Sequence, residues 1–72
     1  MSSPWSSAKA KRVLAALYRE GWSLKRSGGG SHKVLQKEGW PDLTFSFHDN
    51  QEIGPKMLAR IAKSSGLKPS DL

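Results

Sequence analysis

Leu43-Thr44-Phe45-Ser46-Phe47-His48 alternates apolar and polar residues without a break. Successive side chains of a strand point to opposite faces, so the run reads as a half-buried strand. Leu43, Phe45 and Phe47 form a face that must pack on other elements. Thr44, Ser46 and His48 form a face that looks outward. Ahead of this strand, Glu38-Gly39-Trp40-Pro41-Asp42 reads as a turn, with Gly and Pro as breakers. His32 to Lys37 reads as the strand before that turn. Trp22 and Leu24, alternating with Ser23 and Lys25, open an earlier one, and Ser27-Gly28-Gly29-Gly30 is the loop between them.

Helical spacing flanks this strand region on both sides. Ala10, Val13, Leu14 and Leu17 recur as one apolar stripe, with Lys9, Lys11, Arg12 and Arg19 mostly off it. Ser6 or Ser7 is the expected N-cap, and Gly21 ends the helix. A second helix starts at Gly54-Pro55, where a proline loses nothing because its amide would have no partner. Leu58, Ile61 and Ala62 are its expected buried side, with Met57 beside them. Gly66 closes it, Leu67 packs back, and Pro69 begins one last turn. The reading is an α+β domain of order α-β-β-β-α, a three-stranded antiparallel sheet with two helices on one face. Residues 1–7 read as a flexible N-terminal tail and 8–72 as one domain. Trp5, ahead of the first helix, has two readings, a staple over the helix or a side chain in solvent.

Size and composition narrow the function classes. A chain of 72 residues has little room for a deep cofactor cleft. Domains of this size bury only ~60% of the surface their unfolded chains expose. There is no Cys, which excludes disulfide scaffolds, thiolate zinc sites and thiol catalysis. With only two His, His32 and His48, an imidazole-built metal site has too few donors, so neither metal nor cofactor is expected. Twelve Lys and Arg against six Asp and Glu give a formal charge of +6, which attracts polyanions such as nucleic acid. No stretch approaches the length of a membrane span and no secretory signal is evident, so the expected location is the cytoplasm.

Two features are candidates for chemistry. Gly28-Gly29-Gly30 followed by Ser31 lets backbone approach a phosphate closely, or simply makes a hairpin turn. It is neither a P-loop nor a dinucleotide fingerprint, because the lysine and the following helix that those require are missing. His32 follows the loop, with Lys25, Arg26 and Lys33 near it in sequence. A histidine so placed can take the proton of a ribose 2′-hydroxyl, whose oxygen then attacks the adjacent phosphorus. The cations would hold the phosphate and offset its growing charge. The bland alternative is a surface histidine. His48 is a second proton-transfer group, an RNA contact, or a side chain that ties down Asp49-Asn50-Gln51. Trp40 and Tyr18 either stack on bases or serve packing.

Arg26-Ser27-Gly28-Gly29-Gly30-Ser31-His32-Lys33 resembles the Gly-Ser-His loop of the HicA family of messenger-RNA-cleaving toxins. Lys11 to Leu17 resembles the first helix of that family and Gly21-Trp22 its turn into the first strand. His48 through Glu52, Ile53, Gly54, Pro55, Leu58 and Ile61 to Gly66-Leu67 resembles its closing helix. The resemblance spans Ala8 to Leu67. It implies a fold like the double-stranded-RNA-binding domain and a metal-free endoribonuclease (mRNA interferase) centred on His32. Lys25, Arg26, Gly29, Gly30, Ser31 and Lys33 would then be RNA contacts. It further implies a HicB-type antitoxin as partner, with the chain monomeric when free and hetero-oligomeric with the antitoxin. Two departures stand out. Many members have a second His where this chain has Lys33, and the usually basic turn between the second and third sheet strands of the family is the acidic Glu38–Asp42 segment here.

Other readings compete with that one. A binding-only module of the double-stranded-RNA type usually opens its last helix with a lysine cluster. Here that place holds only Lys56, with Lys63 further along. A DNA-binding repressor would need a helix-turn-helix pair, but the strand region separates the two helices. A protein-binding domain docking an acidic partner is compatible with the toxin reading, since an antitoxin must bind somewhere.

Overall fold

The computed structural model describes residues 3–72, in the order β1 (Ala8–Lys9), α1 (Ala10–Arg19), β2 (Ser23–Ser27), β3 (His32–Lys37), β4 (Trp40–Ser46), β5 (Glu52–Ile53), α2 (Pro55–Ser65) and a closing 3-10 turn (Pro69–Asp71). Strands β2, β3 and β4 form an antiparallel sheet in that order. Val13, Ala16 and Leu17 of α1 and Leu58 and Ile61 of α2 share one core cluster with Leu35, Leu43 and Phe45. Both helices therefore cover one face of the sheet, and the α+β layout read from the sequence holds.

The start of α1 differs from expectation. Its N-cap is Lys9, and neither Ser6 nor Ser7 caps it. The first free amides go to main chain instead: Ala10 donates to the Gln51 carbonyl at 2.8 Å and Lys11 to that of Asp49 at 3.0 Å. A two-stranded ribbon, Ala8–Lys9 against Glu52–Ile53, brings those carbonyls there. Two-residue strands have no periodicity to detect, so the sequence offers no sign of them. Trp5 is buried in the core cluster and so does not lie in solvent. Met1 and Ser2, the first part of the expected tail, lie outside the described residues.

The turn before β4 is also shorter than expected. Only Glu38 and Gly39 form it, and Trp40, Pro41 and Asp42 belong to the strand. Gly39 has φ +85°, which a glycine adopts without strain. Lys37 pairs with Trp40, but Leu35 pairs with Leu43, so β4 carries one extra residue at Pro41-Asp42. This is a β-bulge on an edge strand, one of the few places in a sheet that tolerates proline. The bulge has a hydrophobic cause. Continuing the Lys37–Trp40 register unbroken would put Leu35 opposite Asp42 and Lys33 opposite Thr44. The extra residue instead sets Leu35 against Leu43 on the buried face.

Two tryptophans join the ends of the helices to the hairpin. Gly21 and Trp22 close α1, with Gly21 N–H on the Tyr18 carbonyl and Trp22 N–H on that of Leu17, a Schellman arrangement. The buried Trp22 indole donates from Nε1 to the Ser65 carbonyl at 3.1 Å, at the last residue of α2. Ser65, unforeseen as a core residue, is only 1% exposed. It donates from Oγ to the Ile61 carbonyl and accepts from Leu67 N–H. Trp40 meets Trp22 edge-on, with centroids 6.1 Å apart. Its ring also lies over Gly66: a Cβ there would sit 3.1 Å from the indole, in a backbone already at φ +78°. Trp40 is thus engaged in packing, though partly exposed. Met57, expected beside the buried side of α2, is exposed, and so is Leu24 on the edge strand β2, at 46%.

Trp22→Phe removes the indole donor and leaves the buried Ser65 carbonyl unpaired. The expected cost is ~1–3 kcal/mol, the usual price of an orphaned buried acceptor. Urea unfolding followed by circular dichroism measures it. An unchanged midpoint would mean that this hydrogen bond contributes nothing net.

Candidate active site

His32 opens β3 and is exposed. It pairs across the sheet with Ser46, and the two side chains meet, His32 Nδ1 to Ser46 Oγ at 2.9 Å. Alternation places Val34 and Thr44 on the same face, opposite each other and away from the helices. This outer face is the polar side expected from the Leu43–His48 run.

A second bulge brings charge to that face. Ser23 pairs with Gln36 and Leu24 with Leu35, but Arg26 pairs with Val34, leaving Lys25 as the extra residue of β2. Unbroken pairing would set Arg26 opposite Lys33, two like charges across a ladder. The bulge turns Arg26 to the outer face beside Val34 instead. Lys25 reaches over the sheet to Asp42 and pairs with it at 2.7 Å, both ends exposed. Among the described residues, Arg26 is therefore the cation of this face with no carboxylate partner.

The glycine loop connects these strands tightly. Gly28 N–H donates to the His32 carbonyl at 2.9 Å, and His32 N–H donates to the Gly29 carbonyl at 3.4 Å. A Cβ on Gly28 would sit 3.4 Å from His32 Cδ2, so glycine leaves that flank of the imidazole open. Gly29 and Gly30 have no heavy atom near a notional Cβ, so their backbone faces open space. Anything the size of a phosphate can approach the loop there.

Not every residue proposed from the sequence gathers at His32. Lys33 lies on the opposite face of β3, paired with the buried Phe45, and is half-buried. Adjacent strand residues point to opposite sides, so nearness in sequence misleads here. His48 lies two residues beyond the end of β4. It shares with Gly30, Ser31, Lys33, Phe47 and Asp49 a shallow hollow of about 290 Å³. The bonds in its turn come from its main chain and a neighbour: Gln51 N–H donates to the His48 carbonyl, and His48 N–H donates to Gln51 Oε1. The ring itself does not tie the turn. Six further cations, Lys11, Arg12, Arg19, Lys56, Arg60 and Lys63, are exposed on the helices, so the basic charge is spread over both sides of the molecule. No group of three or more His, Cys, Asp or Glu suited to a metal ion exists among the described residues. No described helix is long and apolar enough to cross a membrane.

Ser46 is the residue that the sequence reading missed at this site. Its place on the polar face of the alternating run was visible. Its meeting with His32 depends on the bulge at Pro41-Asp42, without which Phe45 would stand opposite His32. The proline in a strand was the available signal.

A family model described as HicA toxin of bacterial toxin–antitoxin matches residues 10–67 of the chain, from the first residue of α1 to the leucine after α2. No curated protein and no solved structure matches.

The Lys25–Asp42 pair bears on how much cation the site offers. A double-mutant cycle over Lys25→Ala and Asp42→Ala should give a coupling below ~1 kcal/mol, because exposed pairs are worth little. The coupling should shrink further as salt rises. Unfolding midpoints at two salt concentrations measure it. A larger, salt-insensitive coupling would mean that Lys25 is locked to Asp42 and withheld from any ligand.

Proposed function

The chain belongs to the family of HicA toxins of bacterial toxin–antitoxin systems, and on that premise we propose that it is a metal-independent endoribonuclease that cleaves messenger RNA with His32 as general base. As the toxin of such a system it has an antitoxin for a partner; we take that partner to be of the HicB type. The observation that carries the enzymatic reading is the exposed His32 on a polar sheet face, with one ring nitrogen on Ser46, beside a glycine loop open to phosphate.

The chemistry follows from that arrangement. His32 takes the proton of a ribose 2′-hydroxyl, and the freed oxygen forms a bond to the adjacent phosphorus. The bond from phosphorus to the 5′ oxygen breaks, and that oxygen takes a proton from solvent. The products are a 2′,3′-cyclic phosphate and a 5′-hydroxyl end. Arg26, on the same face, offsets the negative charge that builds on the phosphoryl oxygens. Gly29, Gly30 and Ser31, in the loop that leads into His32, are the proposed main-chain contacts to the RNA backbone. Lys25 joins them when a phosphate competes with Asp42 for its ammonium. Lys33 lies on the other face and His48 beyond the end of β4, in a hollow shared with Gly30 and Ser31, so both are suited to the next stretch of RNA rather than to the scissile phosphate.

His32→Ala should slow cleavage of a synthetic RNA by at least ~100-fold, the scale of one positioned acid–base group. Circular dichroism should show an unchanged fold, since the side chain is exposed. His48→Ala should lose much less, and excess chelator should leave the parent's rate intact. A folded His32→Ala that cuts like the parent overturns the assignment. A rate abolished by chelator and restored by a divalent ion overturns the metal-free chemistry.

RNA affinity should fall steeply with salt, because cations on phosphates displace counterions. Arg26→Glu should weaken binding and reduce the slope of log K against log salt by about 1. An affinity indifferent to salt would place RNA off the basic surface.

A further inference from the structure

We propose that Ser46 is a positioning residue that holds His32 in the tautomer with the proton on Nδ1, leaving Nε2 as the proton acceptor. The inference rests on the general-base reading of His32 and adds to it the atom that does the work and the group that selects it.

A neutral imidazole carries its proton on one nitrogen, and the partner of the other nitrogen decides which. Here Nδ1 lies 2.9 Å from Ser46 Oγ, the only side-chain hydrogen bond of the ring among the described residues. That contact makes Nδ1 unavailable to a substrate hydroxyl, so the exposed Nε2 must do the accepting. Nε2 accepts only if the ring proton sits on Nδ1. A serine hydroxyl can either accept from Nδ1–H or donate to a bare Nδ1, and of these two arrangements only the first leaves Nε2 free to take a proton. When Nε2 takes a proton, both nitrogens carry one. Nδ1–H still donates to Ser46 Oγ, so the contact stays favourable through the step and the ring need not turn.

Three features show that the meeting is built into the strand pairing. Ser46 stands directly opposite His32 in register, so backbone pairing sets the side-chain separation. The bulge at Pro41-Asp42 fixes that register; without it, Phe45 would face His32. Ser46 is exposed and belongs to no core contact, so its hydroxyl serves no packing purpose.

The test combines a spectroscopic readout with kinetics. Long-range proton–nitrogen spectra of histidine-labelled protein, recorded above the titration range of imidazole, report the tautomer directly. The parent should show His32 protonated at Nδ1. Ser46→Ala should move His32 toward the Nε2-protonated form and lower kcat by ~10-fold, the scale of a group acting through its neighbour. KM should change little, because the loss falls on the transition state. Ser46→Thr, which keeps the hydroxyl, should restore the parent's tautomer and most of its rate. A parent protonated at Nε2 overturns the proposal, as does Ser46→Ala with an unchanged tautomer or an unchanged kcat. His32→Ala separates the two levels. If it cuts like the parent, the general-base reading fails. If it is inactive while Ser46→Ala keeps the parent's tautomer and kcat, only the role of Ser46 fails.

Discussion

One extra residue in β4, at Pro41-Asp42, sets the relation between the two working strands of this protein. A strand's side chains alternate, so a slip of one residue exchanges its two faces. Burying Leu43 and Phe45 beside Leu35 requires the slip, and the same slip brings Ser46 opposite His32. Core packing and site geometry therefore depend on a single register. The matching bulge at Lys25 does the same for β2, turning Arg26 away from Lys33 and toward the face of His32.

The helical layer holds that sheet in place from behind. Trp22 leaves α1 and donates to the end of α2, while Trp40 packs against Trp22 and over Gly66. Three segments far apart in sequence thus meet at one point, on the side of the sheet opposite His32. On the outer face His32, Thr44 and Ser46 stay exposed, while Val34 is buried there, apart from the core cluster.

Electrostatics separates the molecule into two regions. The helices carry most of the exposed cations, whereas the outer sheet face holds Arg26 and the Lys25–Asp42 pair. A helical side rich in Lys and Arg suits long-range attraction of a polyanion or of an acidic partner. The acidic segment that departs from the family pattern contributes directly to this balance, since Asp42 belongs to it.

The sequence by itself determined the two helices, the three strands of the main sheet and their order. Period-two alternation at Leu43–Phe47, helical spacing at Ala10–Leu17 and the Gly-Pro start of α2 are local signals, and each of these elements followed from its own residues. His32 and the glycine loop were legible for the same reason, as was the family, since the order of short motifs survives without coordinates. Only the tertiary structure decided which residues share a face. Lys33 adjoins His32 in sequence and lies on the other side of the sheet, while Ser46, fourteen residues away, touches it. Register depends on where a strand is interrupted, and a bulge leaves no periodic trace beyond a proline where a strand would not otherwise hold one. The β1–β5 ribbon and the main-chain capping of α1 were hidden likewise, because they are pairings between segments too short to carry a pattern.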